Sequence, residues 1–213
     1  MQYFLFILLL NNVRSTKLLE LLMKTKLLAV ACMLTCAALN AQVSVTTKHN
    51  GLYRTGWYNR ETSLAPAKIN VRQFGKIFSL PVDDNVFAQP LILSNLNIGG
   101  GIHNVVFIAT VNSTVYAFNA DKGNLYWSKN YTPSGLRTVQ NTDFTGTCNG
   151  RRENNDFARN VGIVGTPVLD SATQTLYFVE RNTDATSPGN GHFFTVLHAV
   201  SAITGNEMPN SPV

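Results

Sequence analysis

The densest group of side chains able to bind a polar ligand lies between residues 143 and 159, where Asp143, Cys148, Arg151, Arg152, Glu153, Asp156 and Arg159 crowd into one stretch. Such a mixture of charges suits recognition better than covalent catalysis. The sequence holds no Gly-x-Ser-x-Gly elbow, and Ser134-Gly135 follows a proline in a turn, so no Ser-His-Asp set can be assembled. Asp143, Cys148, Arg151 and Arg152 are the candidate binding residues, because loops interrupting a rigid framework are where binding groups collect. The plainer alternative for the same stretch is a solvated loop. His49, His103, His192 and His198 show neither HxH nor HxxxH spacing, which argues against a metal centre. Asp83-Asp84-Asn85 comes nearest to a Ca²⁺ loop and reads as a turn between Val82 and Val86. Gly99-Gly100-Gly101 runs into Ile102-His103 rather than a Lys-Ser and a helix, so it reads as a hairpin turn and not a phosphate loop. Trp57 and Trp127 have faces for a planar ligand, but Trp127 ends a strand-like run, where packing is the usual task of an indole.

Charge excludes one class of partner. The formal net charge of +5 shrinks once residues 1–41 are set aside, leaving 13 basic against 11 acidic residues from Gln42 onward. A polyanion-binding surface concentrates Lys and Arg in a stripe, and Arg151-Arg152 is the only adjacent basic pair of the body. Nucleic acid is not an expected partner.

The N-terminal region reads as an address. From Met23, Lys24 and Lys26 precede an apolar run over Leu27–Leu39 and small residues up to Ala41, the pattern of a signal peptide cleaved after Ala41. The run is shorter than the roughly 20 apolar residues of a membrane-spanning helix, so no span is expected after cleavage. Residues 1–22 read as an over-long translation ahead of a start at Met23. A lipoprotein anchored through Cys32 lacks the usual Leu three positions earlier, where Ala29 stands. The mature chain is then secreted, periplasmic or on the cell surface. With Cys32 and Cys36 in the leader, Cys148 has three readings: a free thiol, a partner in another chain, or a partner in sequence beyond this one.

The elements that must carry these groups are strands. Short runs rich in Val, Ile, Phe, Tyr and Thr alternate with Gly, Asn, Asp and Pro clusters, and no window after Gln42 has helical periodicity. The expected strands are 74–80, 91–93, 105–109, 114–119, 125–129, 166–170, 176–180 and 195–201, in an all-β body over residues 42–213. Two stretches repeat one pattern. Gln89-Pro90-Leu91-Ile92, then 104–110 (NVVFIAT), then 115–127 (VYAFNADKGNLYW) correspond to Thr166-Pro167-Val168-Leu169, then 175–181 (TLYFVER), then 197–208 (LHAVSAITGNEM). Ala117 matches Ala199, Ala120 matches Ala202 and Gly123 matches Gly205. Ile203-Thr204 replaces Asp121-Lys122, which predicts a degenerate or differently bonded corner. Each repeat, about 88–129 and about 165–208, reads as a four-stranded antiparallel sheet, with an insertion of about 130–164 between them.

A repeated four-stranded unit of roughly 40 residues is the signature of a β-propeller blade. Propellers close with roughly 4 to 8 blades, so two blades leave the ring incomplete, and the chain is expected to be the N-terminal part of a longer protein. These segments, with GTPVLD and the opening HNGLYRTGWYNRETSLAPAKIN, resemble secreted bacterial β-propellers with pyrroloquinoline-quinone-like repeats, the repeats of the quinoprotein alcohol dehydrogenases. The resemblance covers about 45–213. In the dehydrogenases it implies pyrroloquinoline quinone, Ca²⁺, a catalytic Asp and a disulfide between adjacent cysteines. No residue of this chain matches those positions, so no catalytic, cofactor or metal residue is carried over. The expected function is a non-catalytic binding or scaffold module for a protein, glycan or peptide. The alternative is a quinoprotein-like oxidoreductase whose active site lies in further blades.

Overall fold

The computed structural model describes residues 44–59, 61, 64–70, 72, 74–144, 157, 159–187 and 190–213. The leader, Cys148, Arg151 and Arg152 lie outside the described residues. Among the described residues there is no α-helix, only 3-10 turns at Lys48–Asn50 and Asn141–Asp143. The all-β expectation holds.

The first repeat is a meander of β1 (Leu91–Ile98), β2 (Gly101–Ala109), β3 (Thr114–Asn119) and β4 (Leu125–Asn130), paired antiparallel in that order. Gly99 and Gly100 take φ of +62° and +84° between β1 and β2, as a tight hairpin demands. The second repeat contains β6 (Val168–Asp170), β7 (Thr175–Thr183) and β8 (Phe193–Ser201), with β7 between the other two. A short β5 (Arg137–Thr138) from the insertion pairs with the far end of β7. Residues 207–213 take the outer position beside β8: Glu207 bridges Val200, Met208 N–H donates to Ala199 O, and Leu197 and Val213 exchange two bonds. The first repeat is therefore a four-stranded antiparallel sheet, whereas the second repeat supplies three strands, its sheet gaining β5 as a fourth, and residues 207–213, with Pro209 and Pro212, form a looser outer edge in place of the expected last strand.

The corners after β3 and β8 are built alike. Gly123 N–H donates to Asn119 O and Gly205 N–H to Ser201 O; Ala120 and Ala202 donate to Asn104 O and Gln174 O. Asn119 Oδ1 accepts from the Asp121 and Lys122 amides, and Ser201 Oγ from those of Ile203 and Thr204. The expected difference at Ile203-Thr204 is overturned: the corner-forming acceptor sits two residues before Asp121, which instead accepts a bond from Asn104. Gly takes the final position without strain, at φ of +78° and +68°.

One apolar core joins the sheets, running from Leu91, Phe107, Ala109, Val115 and Ala117 to Leu169, Leu176, Phe178, Val200 and Ala202. Trp127 locks the junction. Its indole lies so close over Gly205 that a Cβ there would be 2.7 Å from Cε3, and Nε1–H donates to Ala202 O at 3.1 Å. Tyr131, just past β4, donates its hydroxyl to Gly205 O at 2.7 Å. Packing is thus the work of Trp127, while Trp57 is exposed.

The expected strand over 74–80 is not formed. Its Phe78 and Leu80 pack over Gly123, but among the described residues no backbone hydrogen bond joins 75–82 to any strand. The alternation of apolar residues that reads as a strand is present; a pairing partner among the described residues is not.

Candidate functional site: a polar cleft at the loop end

The antiparallel order brings the start of β1, the β2–β3 turn and the insertion after β4 to one end. There Asp83, Asp84, Asn112, Arg137, Thr138, Gln140, Arg159 and Asn160 line a cleft of about 370 Å³. Its walls are ordered by their own hydrogen bonds.

Asp83 is the anchor. Its Oδ1 accepts from the Thr110 hydroxyl at 2.7 Å, and Oδ2 from Asn112 Nδ2 at 2.9 Å and the Thr114 hydroxyl at 2.6 Å. Burial pushes this carboxyl up, but the bonds from Thr114, Asn112 and Thr110 outweigh it and hold the group below the usual carboxylate range. Asp83 is accordingly a charged strut clamping the β2–β3 turn. Asn160 reaches across from the insertion, donating to Asp84 Oδ2 at 2.7 Å and to Asn112 Oδ1 at 3.2 Å. It ties the insertion to the first repeat.

Asp143 does not line the cleft but is bonded to two residues that do, Arg137 and Gln140. Arg137 grips it with two bonds of 2.6 and 2.7 Å, and the Gln140 amide adds a third at 2.8 Å. The Arg137 bonds hold the Asp143 carboxyl below its ordinary range. Arg137 also donates through Nε to Ala185 O at 2.9 Å. Asp143 is buried, so its task is to fix the insertion rather than to meet a ligand. Arg159 differs: it is exposed, lines the cleft, and its guanidinium makes no hydrogen bond among the described residues.

No family model matches the chain, nor does any curated protein.

A second polar cluster sits between the sheets. His198 is stacked on Phe178 with centroids 4.9 Å apart, and Tyr131 meets the imidazole edge-on. Nε2 lies 2.9 Å from Glu180 Oε2 and Nδ1 2.7 Å from Glu207 Oε1. Burial disfavours the imidazolium, yet the bonds to Glu180 and Glu207 prevail and raise its pKa above the ordinary value. Both ring nitrogens face a carboxylate oxygen. Glu207 also accepts from the Ser211 hydroxyl, which in turn receives the Ala199 amide, so this cluster pins residues 207–213 to β8. The remaining histidines are dispersed: His49 bonds Arg54 O, His192 bonds Asp184, and His103 packs beside Tyr126. Among the described residues no three His, Cys, Asp or Glu side chains cluster as metal ligands, and no helix is long and apolar enough to cross a membrane.

Sequence reasoning missed Asn112, Gln140 and Asn160, whose types carry no motif, and took Asp83-Asp84 as a turn. Their one signal is position: each stands in a connection at the same end of a repeat.

Proposed function

We propose that this chain is part of a secreted β-propeller built of pyrroloquinoline-quinone-like repeats, and that it acts as a non-catalytic binding module whose ligand enters the cleft beside the insertion. The propeller reading rests on how the repeats are covered. Leu91, Phe107, Ala109 and Val115 are 0, 2, 3 and 0% exposed in the core between the sheets. Their counterparts by strand register, Val168, Tyr177, Val179 and Leu197, are 44, 38, 45 and 43% exposed. An apolar face of this kind is a stacking face, so further four-stranded repeats cover it and the two described here are an incomplete ring.

The binding reading is carried by the cleft. Carboxylate, amide and guanidinium groups face one space, supplying acceptors and donors together, and a ligand rich in hydroxyls uses both. A glycan is the class that fits. The test is calorimetric titration of the secreted protein with neutral oligosaccharides. Arg159→Ala is expected to weaken binding at least tenfold with no change in thermal midpoint. Saccharide binding that is indifferent to both Arg159→Ala and Asp84→Asn, or none across a broad glycan panel, overturns this assignment.

A further inference from the structure

The inner face of β7 carries Leu176, Phe178, Glu180 and Asn182, and all four are buried. The first two belong to the apolar core; the last two are polar, and each is 0% exposed. Glu180 Oε2 is taken by His198, but Oε1 has no hydrogen-bond partner, and neither has Oδ1 or Nδ2 of Asn182. Residues two apart on one face of a strand stand about 7 Å from each other, yet this carboxylate and this amide do not bond. Their cross-strand neighbours cannot serve them. Val196 stands opposite Glu180 and Phe194 opposite Asn182 on β8, and both are apolar. On β5 Thr138 stands opposite Asn182, but its hydroxyl is already bonded to Ser113 and Thr132. Thr183 Oγ1, next along β7, accepts from the Ala185 amide. Buried polar groups are paired in folded proteins, and where no protein group reaches them ordered water does so.

We propose that the inner face of β7 at Glu180 and Asn182 is an internal water site, with ordered water bridging Glu180 Oε1 to the Asn182 amide. The donors and acceptors select the occupant. Glu180 Oε1 and Asn182 Oδ1 require a guest that donates, and Asn182 Nδ2 requires one that accepts. A metal cation gives Nδ2 nothing to donate to, and an anion is repelled by the Glu180 carboxylate; water meets all three atoms. Exchanging O and N of the amide leaves the same set of groups. The site lies where the insertion joins the second repeat, since β5 meets β7 at the pairs Arg137–Thr183 and Thr138–Asn182. Arg137 and Thr138 also line the cleft, so water held behind Asn182 supports the cleft wall. The inference stands without the propeller reading and without the glycan assignment.

Oxygen-17 magnetic relaxation dispersion on the native secreted protein counts internal waters of long residence, and Asn182→Leu is expected to lower that count by at least one. The thermal midpoint gives a second reading. Asn182→Leu removes the bridge and leaves Glu180 Oε1 buried without a partner, so the midpoint is expected to fall by several degrees. In a Glu180→Leu background no acceptor is left to strand, and the same substitution is expected to be neutral or stabilising. The dispersion measurement requires only the native chain and Asn182→Leu, so it decides even where the Glu180→Leu protein does not fold. An unchanged water count overturns the inference, as does the same midpoint shift in both backgrounds. A midpoint that rises with Na⁺ or K⁺ at constant ionic strength, and loses that rise in Asn182→Leu, overturns it too, since the occupant is then a cation.

Discussion

Gly205→Ala probes the contact on which the stacking of the two sheets depends. Two costs combine. At φ +68° an L-residue costs roughly 1–2 kcal/mol. The new methyl would lie 2.7, 2.9 and 3.0 Å from three carbons of the Trp127 indole, inside the roughly 3.5–4.0 Å of normal carbon contact. The ring has to move, and the bond it donates to Ala202 O at 3.1 Å lengthens or breaks, a loss of about 1 kcal/mol. The expected total is about 2–4 kcal/mol, which for a domain of this size lowers the thermal midpoint by roughly 5–15 °C. Gly123→Ala is the internal control. Its φ is +78° but its nearest neighbour is Phe78 Cδ2 at 3.2 Å, a contact that a shift of a few tenths of an ångström relieves, so the backbone cost of roughly 1–2 kcal/mol dominates. Urea unfolding followed by tryptophan fluorescence reads both, because Trp127 is half-buried while Trp57 is exposed. In a Trp127→Leu background the cost of Gly205→Ala should fall to that of Gly123→Ala. Equal costs for the two glycine substitutions in the native background, or an undiminished Gly205→Ala cost without the indole, refute the reasoning.

Three further outcomes follow from named contacts. His198 has a raised pKa in the folded state, so its contribution is full below about pH 6.5 and is lost as pH rises through the folded value; unfolding titrations from pH 5.5 to 9 should show stability falling on the alkaline side, and His198→Phe should flatten that limb. Asp83 has a lowered pKa, so its contribution is present above about pH 4 and lost as pH falls through the folded value; Asp83→Ala leaves the buried Thr110 and Thr114 hydroxyls without this acceptor and should cost about 1–3 kcal/mol at neutral pH by urea unfolding. Asn119→Ala removes the acceptor for two corner amides and should cost about 1 kcal/mol in the same assay, whereas Asp121→Ala should stay within about 0.5 kcal/mol.

Several features of this protein were legible from the residues alone because they depend on near neighbours in the chain. Alternation of apolar residues, Gly at the corners and the matched positions of Ala117 with Ala199 and Gly123 with Gly205 are local signals, and the strands and corners follow them. The exact span of β3 is an instance, since Thr114 and Asn119 are bounded by a turn on each side. Segment 74–80 shows the boundary of that legibility. Alternation makes a residue run able to pair, but pairing is a property of two segments, and the second is not adjacent in the chain.

The cleft was less legible still. Asp143 looked available for a ligand because a sequence shows charge and not its partner; Arg137, six residues earlier, takes up both carboxylate oxygens. Glu180, His198 and Glu207 gave no spacing signal, because β7, β8 and the outer edge bring them together across the sheet rather than along the chain. Composition and periodicity mark which stretches are able to become strands, since the alternation of side chains between the two faces is set within a few residues. Which polar groups face one another was decided by strand order and by the packing of one repeat on the next, through contacts between residues far apart in the chain, such as the 77 positions between Gln89 and Thr166. No local pattern encodes a separation of that length.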